Sequence, residues 1–314
     1  QRDLVAVGKM LLSELAPLVP MQHGVIYFNT NSSSPTESGK DCHRTKFVWD
    51  GHGGNFSRAT AQAAIDAYGP NWVLLTNDYV WGHETSAATR ALAEASGAAI
   101  VDELLVPQNT RDFSSYLLTL QQLAPDVVAA AVGGDDLKAL RIQVVESGLD
   151  QNIGWINNQQ DWPDVYGVPP FGTFGTTWYY DLDLPGVKEF VAKYQETYPN
   201  TSLKVPGNVY YNGYMATKTL LQAIESAGTT NNHEIIKALE GWKWTAEERM
   251  QEHSAWIDPD THQVQQTIYL ATGKAPESEY DIYEILLAVS PEDVMAKSAD
   301  CQLESFEDTP VFEP

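Results

Sequence analysis

Residues 72–78 read Trp72-Val73-Leu74-Leu75-Thr76-Asn77-Asp78, and residues 127–134 read Val127-Val128-Ala129-Ala130-Ala131-Val132-Gly133-Gly134. Each is a short, near-continuous apolar run that stops on small polar residues or glycines. Such runs belong to strands in a sheet covered on both faces. Working outward, Val25-Ile26-Tyr27-Phe28 closes on the polar stretch from Asn29 to Ser34, and Ala99-Ile100-Val101 leads into Glu103-Leu104-Leu105-Val106. Helical periods lie between the runs. Tyr116, Leu117, Leu120 and Leu123 share one face, as do Leu137, Leu140 and Val144 in the next helix, which Gly148 should end as a C-cap glycine. This alternation predicts parallel βαβ units with right-handed crossovers, and one doubly wound α/β lobe over about 50–180.

After Trp178-Tyr179-Tyr180-Asp181 the texture changes to long helices. Val187, Phe190, Val191, Tyr194 and Tyr198 form one apolar stripe; Tyr210, Tyr214, Leu221 and Ile224 form another, with Tyr211 and Met215 alongside. A short helix is expected at about 232–240. From Trp242 onward the pattern is that of β-hairpins at 254–257, 267–271 and 281–289. The acidic, Pro-containing residues 301–314 read as a tail.

The length, 314 residues, suits two domains of ordinary size. Nineteen basic against 42 acidic residues give a net charge of −23, which argues against nucleic acid or anionic lipid as a partner. The acidic surface either keeps the protein soluble or attracts cationic ligands. No run approaches the ~18–20 apolar residues of a membrane span, so no direct membrane insertion is expected. The opening Gln1-Arg2-Asp3-Leu4 has no signal-peptide pattern. The two cysteines, Cys42 and Cys301, are either buried thiols or, in an exported protein, one long-range disulfide.

Motifs of catalysis are missing: no Gly-x-Gly-x-x-Gly, no Walker loop, no Gly-x-Ser-x-Gly elbow and no His-Glu-x-x-His. Neither enzymatic activity nor a cofactor is expected. Asp258, Asp260 and His262 are close in sequence, but on a Pro-containing turn whose own chemistry accounts for them better than a metal does. What stands out is a set of loops at strand C-termini, where open α/β sheets place their ligands. They are Asn29-Thr30-Asn31-Ser32-Ser33-Ser34-Pro35, Asp78-Tyr79-Val80-Trp81-Gly82, Gly133-Gly134-Asp135-Asp136 and Asn157-Asn158-Gln159-Gln160-Asp161-Trp162. Each alone is ordinary helix-capping chemistry; four in succession beside aromatic surfaces outline a small-molecule cleft.

These loops, in order, resemble the periplasmic solute-binding proteins of branched-chain-amino-acid-type ABC importers, with the type I periplasmic-binding fold. Gly24 to Pro35 is similar to that family's strand and Ser-x-Ala-Thr-x-Pro loop. Asn77 to Gly82 resembles its Asp-x-x-Tyr-Gly turn, and Thr110-Arg111-Asp112-Phe113-Ser114 its Thr-x-Asp-Phe-Ser. The resemblance implies two Rossmann-like lobes joined by hinge strands, and an extracytoplasmic, periplasmic location. It also implies a small-molecule ligand and the membrane permease of an ABC importer as partners. Carried over by position, the ligand contacts are Asn31, Ser33, Trp81, Asp135 and one of Asn158 and Gln159. Trp81 stands where the family usually has a stacking Tyr. Asp135 stands where amino-acid binders often have an aromatic residue, and Asn158 or Gln159 lies near the position of the acidic residue that receives an α-ammonium; these last two departures point away from a leucine-like ligand. Export also implies that Cys42 and Cys301 pair. The family opens with a strand ending in Pro-x-Ser-Gly and about two further βα units before the strand at 25–28. The chain given starts in the helix before that strand, so the resemblance implies a first lobe lacking its N-terminal segment, with an open sheet edge.

The reading is therefore lobe one at 1–48 plus 184–275, lobe two at 50–180 plus 280–300, and a tail at 301–314, with hinge crossings near 49, 181 and 275–280. The expected function is capture of a small polar solute (an amino acid, an amide or a urea-like molecule) by lobe closure, for an ABC-type importer. The rivals are a ligand-sensing domain of a receptor or regulator, and a binder of aromatic acids. Asp135 is expected either to meet a ligand amine or to cap the helix that follows it.

Overall fold

The computed structural model describes residues 18–295 and 300–312. The parts of the lobe and tail assignments at 1–17, 296–299 and 313–314 lie outside the described residues. After helix α1 (Leu18–His23), strand β1 (Tyr27–Asn29) and strand β2 (Lys46–Val48) form a small parallel pair, with a 3-10 turn at Pro35–Ser38 between them. Then follow α2 (Gly53–Tyr68), β3 (Asn71–Asn77), α3 (Val80–Ala95), β4 (Ala99–Val106), α4 (Ser114–Leu123), β5 (Val127–Ala131), α5 (Gly134–Ser147), β6 (Gly154–Gln159), α6 (Trp162–Val165) and β7 (Thr173–Thr176).

The five strands β3 to β7 run parallel in the order β4-β3-β5-β6-β7, extended by two antiparallel strands, β11 (Ile268–Gly273) and β12 (Tyr283–Val289). Side-chain alternation explains why the central strands are apolar throughout. Trp72, Leu74, Val127 and Ala129 pack with Ala61 and Ala64 of α2 and Ala93 of α3. Val73, Leu75, Val128 and Ala130 face the other way, toward Leu117 and Leu120 of α4 and Leu137, Leu140 and Val144 of α5. Gly148 ends α5 in the left-handed region at φ 71°, donating its N–H to the carbonyls of Val144 and Val145.

The remaining α-helices and strands are α7 (Val187–Thr197), α8 (Asn208–Ala227), α9 (Asn232–Leu239), β8 (Lys243–Trp244), α10 (Ala246–Arg249), β9 (Ala255–Ile257), β10 (Val264–Gln265) and, after β12, α11 (Pro291–Val294). The three short strands form an antiparallel sheet, and Val48 of β2 bridges to Gln263 beside it. The chain thus passes between a large-sheet region and a small-sheet region three times: after β2, after β7 and between β10 and β11.

Two assignments are corrected here. The stretch 268–273, read as part of lobe one, is β11 and lies in the large sheet, paired to β7 and β12. The third passage is accordingly at Gln266–Thr267 and not at 275–280. An isolated strand signal carries no information on which sheet it joins, and the hairpin with β12 decides it. The second concerns the C-terminal residues, which are docked and not a loose tail. Glu304 accepts from the backbone N and Nε of Arg44, and Asn232 pairs through its backbone and side chain with Pro310 and Phe312. Cys301 is disulfide-bonded to Cys42, with Cα atoms 5.6 Å apart.

Candidate functional site

In an open α/β sheet the crevice opens where consecutive connections leave a strand pair in opposite directions, outside the strand C-termini. Here that point lies between β3, whose chain continues outward to β4, and β5, whose chain continues inward to β6. Asn77, at the end of β3, ties the two loops together. Its Oδ1 accepts from Gly133 N at 3.0 Å, and its Nδ2 donates to the carbonyl of Val106 and to Asp136. Gly82 lets α3 start directly over this strand end, because a Cβ there would sit 2.0 Å from the carbonyl oxygen of Asn77. The result is a cleft of about 1270 Å³ between the loop after β1 on one side and the ends of β3, β5 and β6 on the other.

Of the residues expected at the site, Asn31, Ser33, Trp81, Asp135 and Gln159 all line this cleft. Trp81 stacks on Tyr79 with ring centroids 5.8 Å apart, forming an aromatic wall. Burial, helped by Asp136, pushes the Tyr79 hydroxyl well above its ordinary range, so it stays protonated. Asp135 sits at the rim with 69% of its side chain exposed, 3.4 Å from Arg111 and 3.7 Å from Lys138. It makes no capping hydrogen bond, and α5 is entered at Gly133 instead. Asn158 is a correction: it is fully buried and does not line the cleft. Its Nδ2 donates to the hydroxyls of Ser57 and Thr89, both at 2.6 Å, behind the sheet. Successive strand residues point to opposite faces, so Asn158 turns behind the sheet where Gln159 reaches the crevice.

The residue that sequence reasoning missed is Asp50, in the first passage between the two regions. It is completely buried and receives five hydrogen bonds. Oδ1 accepts from Gly51 N at 3.0 Å, Thr177 Oγ1 at 3.1 Å and Asn212 Nδ2 at 3.3 Å. Oδ2 accepts from Ser33 Oγ at 3.2 Å and Gln159 Nε2 at 2.7 Å. Burial pushes the Asp50 carboxyl up to about 8 and Asp161 pushes the same way, against the bonds from Thr177, Ser33 and Gly51. The available signal was an apolar run, Phe47-Val48-Trp49, closed by Asp50-Gly51, which reads as a turn.

The loop between β1 and β2 is held by side chains. Asn29 Oδ1 accepts from the backbone N of Asn31 and of Ser32, and Glu37 pairs with Lys46 at 3.0 Å, both buried. On the opposite wall the buried Arg141 donates to Gln160 Oε1 and to the carbonyls of Pro169 and Phe171, and Gln160 Nε2 donates to Tyr283. Asn208 of α8 donates to Asp161, joining the small-sheet region to this wall. Among the described residues no group of three or more His, Cys, Asp or Glu could hold a metal ion.

Residues 7–278 match the model of a protein family described as periplasmic binding protein. The chain belongs to that family. It is a family of solute-binding proteins that act outside the cytoplasm, and not of enzymes. Among its relatives, the chain is 24% identical over 295 residues to the Leu/Ile/Val-binding protein homolog 6 of Brucella melitensis, a match covering 90% of this chain and 70% of the relative. Its fold matches that of a periplasmic binding protein from Burkholderia mallei with a TM-score of 0.79 at 18% identity, over 96% of this chain and 84% of that one. It also matches a solute-binding protein of an ABC transporter from Rhodopseudomonas palustris in complex with 3,4-dihydroxy benzoic acid. There the TM-score is 0.74 at 21% identity, over 87% of this chain and 73% of the other. As a type I periplasmic binding protein, the chain has its cleft at the strand ends and its two regions joined by three passages. Among the described residues no helix is long and apolar enough to cross a membrane.

Proposed function

We propose that the large-sheet and small-sheet regions are the two lobes of a trap that closes on a small polar solute and hands it to the permease of an ABC-type importer. The observation that carries this reading is the cleft itself. It is walled by Asn31 and Ser33 from the small-sheet region and by Tyr79, Trp81 and Gln159 from the large-sheet region. Two half-sites on bodies joined by a few crossing segments gain their full contacts only in the closed state. Its mix of aromatic wall and neutral hydrogen-bonding groups supports an amino acid, an amide or a urea-like solute, and the name of the Brucella relative points the same way. Asp135 is not placed to carry recognition on this reading, since Arg111 and Lys138 already answer its charge.

A second reading, an aromatic carboxylic acid, is supported by the stacked pair Tyr79–Trp81 and by the ligand named for the Rhodopseudomonas structure. Unfolding temperature measured against leucine, valine, propionamide, urea and benzoate separates the two. A true ligand at a hundred times its Kd stabilises the folded state by about 2.7 kcal/mol. Stabilisation by leucine or propionamide supports the first reading, and by benzoate alone the second. No shift with any of them would refute the trap.

A further inference from the structure

Resting on that reading of the cleft, we infer that Asp50 is a positioning residue that sets the hydrogen-bond polarity of both half-sites, turning Ser33 and Gln159 into acceptors toward the ligand. The group lodged between them must then carry N–H donors.

The argument starts from the asymmetry of the carboxylate. Oδ1 takes three donors from the passages and from α8, whereas Oδ2 takes two, both from cleft-lining side chains and one from each region. Asp50 itself does not line the cleft; it lies one layer beneath. Ser33 has one hydroxyl hydrogen, and the protein groups within its reach, Asp50 Oδ2 at 3.2 Å and the Asn31 carbonyl at 3.4 Å, are both acceptors. The hydrogen is used inside the protein and the lone pairs of Oγ remain for the cleft. While Asp50 is ionised it cannot donate, so Gln159 turns Nε2 to the carboxylate and Oε1 becomes the end left for a ligand. Because both side chains share one oxygen of Asp50, their free acceptors lie within reach of a single ammonium or amide nitrogen. Charge-assisted bonds are the stronger kind, so this orientation is firmly held while Asp50 is ionised.

Removing the charge without the shape inverts the arrangement. An amide at position 50 presents N–H groups where Oδ2 was. Ser33 Oγ must then accept, and Gln159 must rotate Oε1 inward and Nε2 outward. The charged and titratable groups around Asp50 are Asp161 across the passage, His52 two residues on, and Arg249, which is reached through Gln251 and Thr177. Burial lowers the His52 ring to about 4, so it remains neutral over the range of interest.

The test uses matched pairs of probes, propionamide with propionate and benzamide with benzoate, on the wild-type protein, Asp50→Asn and Gln159→Leu. Wild type should prefer the amides, with affinity rising through about pH 8 and levelling above about pH 9. Asp50→Asn should weaken the amides at least tenfold while the acids bind as well or better. Gln159→Leu keeps the charge of Asp50 and sits on the cleft wall, so it tests the idea even if Asp50→Asn fails to fold. It should weaken the amides about tenfold, leave the acids unchanged and flatten the pH profile. Equal losses for amide and acid in the two variants, or a wild-type preference for the acids, would overturn the inference and leave the trap standing. Binding of none of the four probes, with no stabilisation by leucine, would overturn the trap and the inference with it.

Discussion

The two walls of the cleft are made by different means. The wall on the large sheet is set by backbone: strand ends at a switch point, with α3 and α5 springing from them and Gly82 permitting the close approach of α3 to the end of β3. The opposite wall, the loop between β1 and β2, has almost no regular structure. Its shape is held by Asn29, by the Glu37–Lys46 pair and by a covalent bond to the C-terminal segment. A wall built from backbone topology tolerates side-chain replacement, whereas a wall built from a few polar side chains depends on each of them.

Breaking the second wall should therefore cost most. The disulfide spans 259 residues, and closing so long a loop stabilises by roughly 5 kcal/mol in the chain-entropy account. Urea unfolding of the Cys42→Ser, Cys301→Ser double variant should show a loss of several kcal/mol; less than about 1 kcal/mol would place the anchoring elsewhere. Next comes Lys46→Met, which leaves the Glu37 carboxylate buried without its cation. A loss of about 3–5 kcal/mol is expected, again from urea titrations, with much of it recovered in Lys46→Met combined with Glu37→Gln. Recovery failing in the double variant would mean that Lys46 acts by packing alone.

The first passage between the two regions is tested by pH. Asp50 has its folded-state pKa raised to about 8. A carboxyl raised in this way binds its proton more tightly when folded, so its contribution is full below the ordinary carboxylate range and is lost as pH rises through about 8. Wild type should lose stability between about pH 4 and about pH 8 relative to Asp50→Asn and level off above that, and parallel curves would contradict the assignment. The smallest effect belongs to the first wall. Asp135→Asn, at an exposed rim position, should change stability by no more than about 0.5 kcal/mol and ligand affinity little. A large loss of affinity there would return Asp135 to the binding site.

The same contrast governs what could be read from the sequence. The strands at 72–77 and 127–131, the helix ending at Gly148 and the loops that follow the strands are fixed by local pattern, and the cleft follows from their order. Asn31, Ser33, Trp81, Asp135 and Gln159 could be placed on the cleft because each sits in a loop or at a strand end. Asn157, Asn158, Gln159 and Gln160 are four amides in a row, so composition cannot say which faces the crevice, and a bulge between Asn157 and Gln159 shifts the register there. Asp50 was illegible for a deeper reason. This buried carboxylate is defined by four side-chain donors brought from 17 to 162 residues away, and Asp-Gly after an apolar run reads locally as a turn. Strand β11 was misplaced because the hairpin that claims it is a property of the sheet and not of its own six residues.

The bond between Cys42 and Cys301 also orders events in the life of the molecule. Cys42 borders the cleft, but its partner is made 259 residues later. The binding loop therefore cannot be locked while the chain is being made or exported. It becomes locked only once the C-terminal segment has emerged into an oxidising space and docked beside Arg44 and Asn232. Locking of the loop that borders the cleft is thus a late step of biogenesis, reached only after the C-terminal segment has docked beside it.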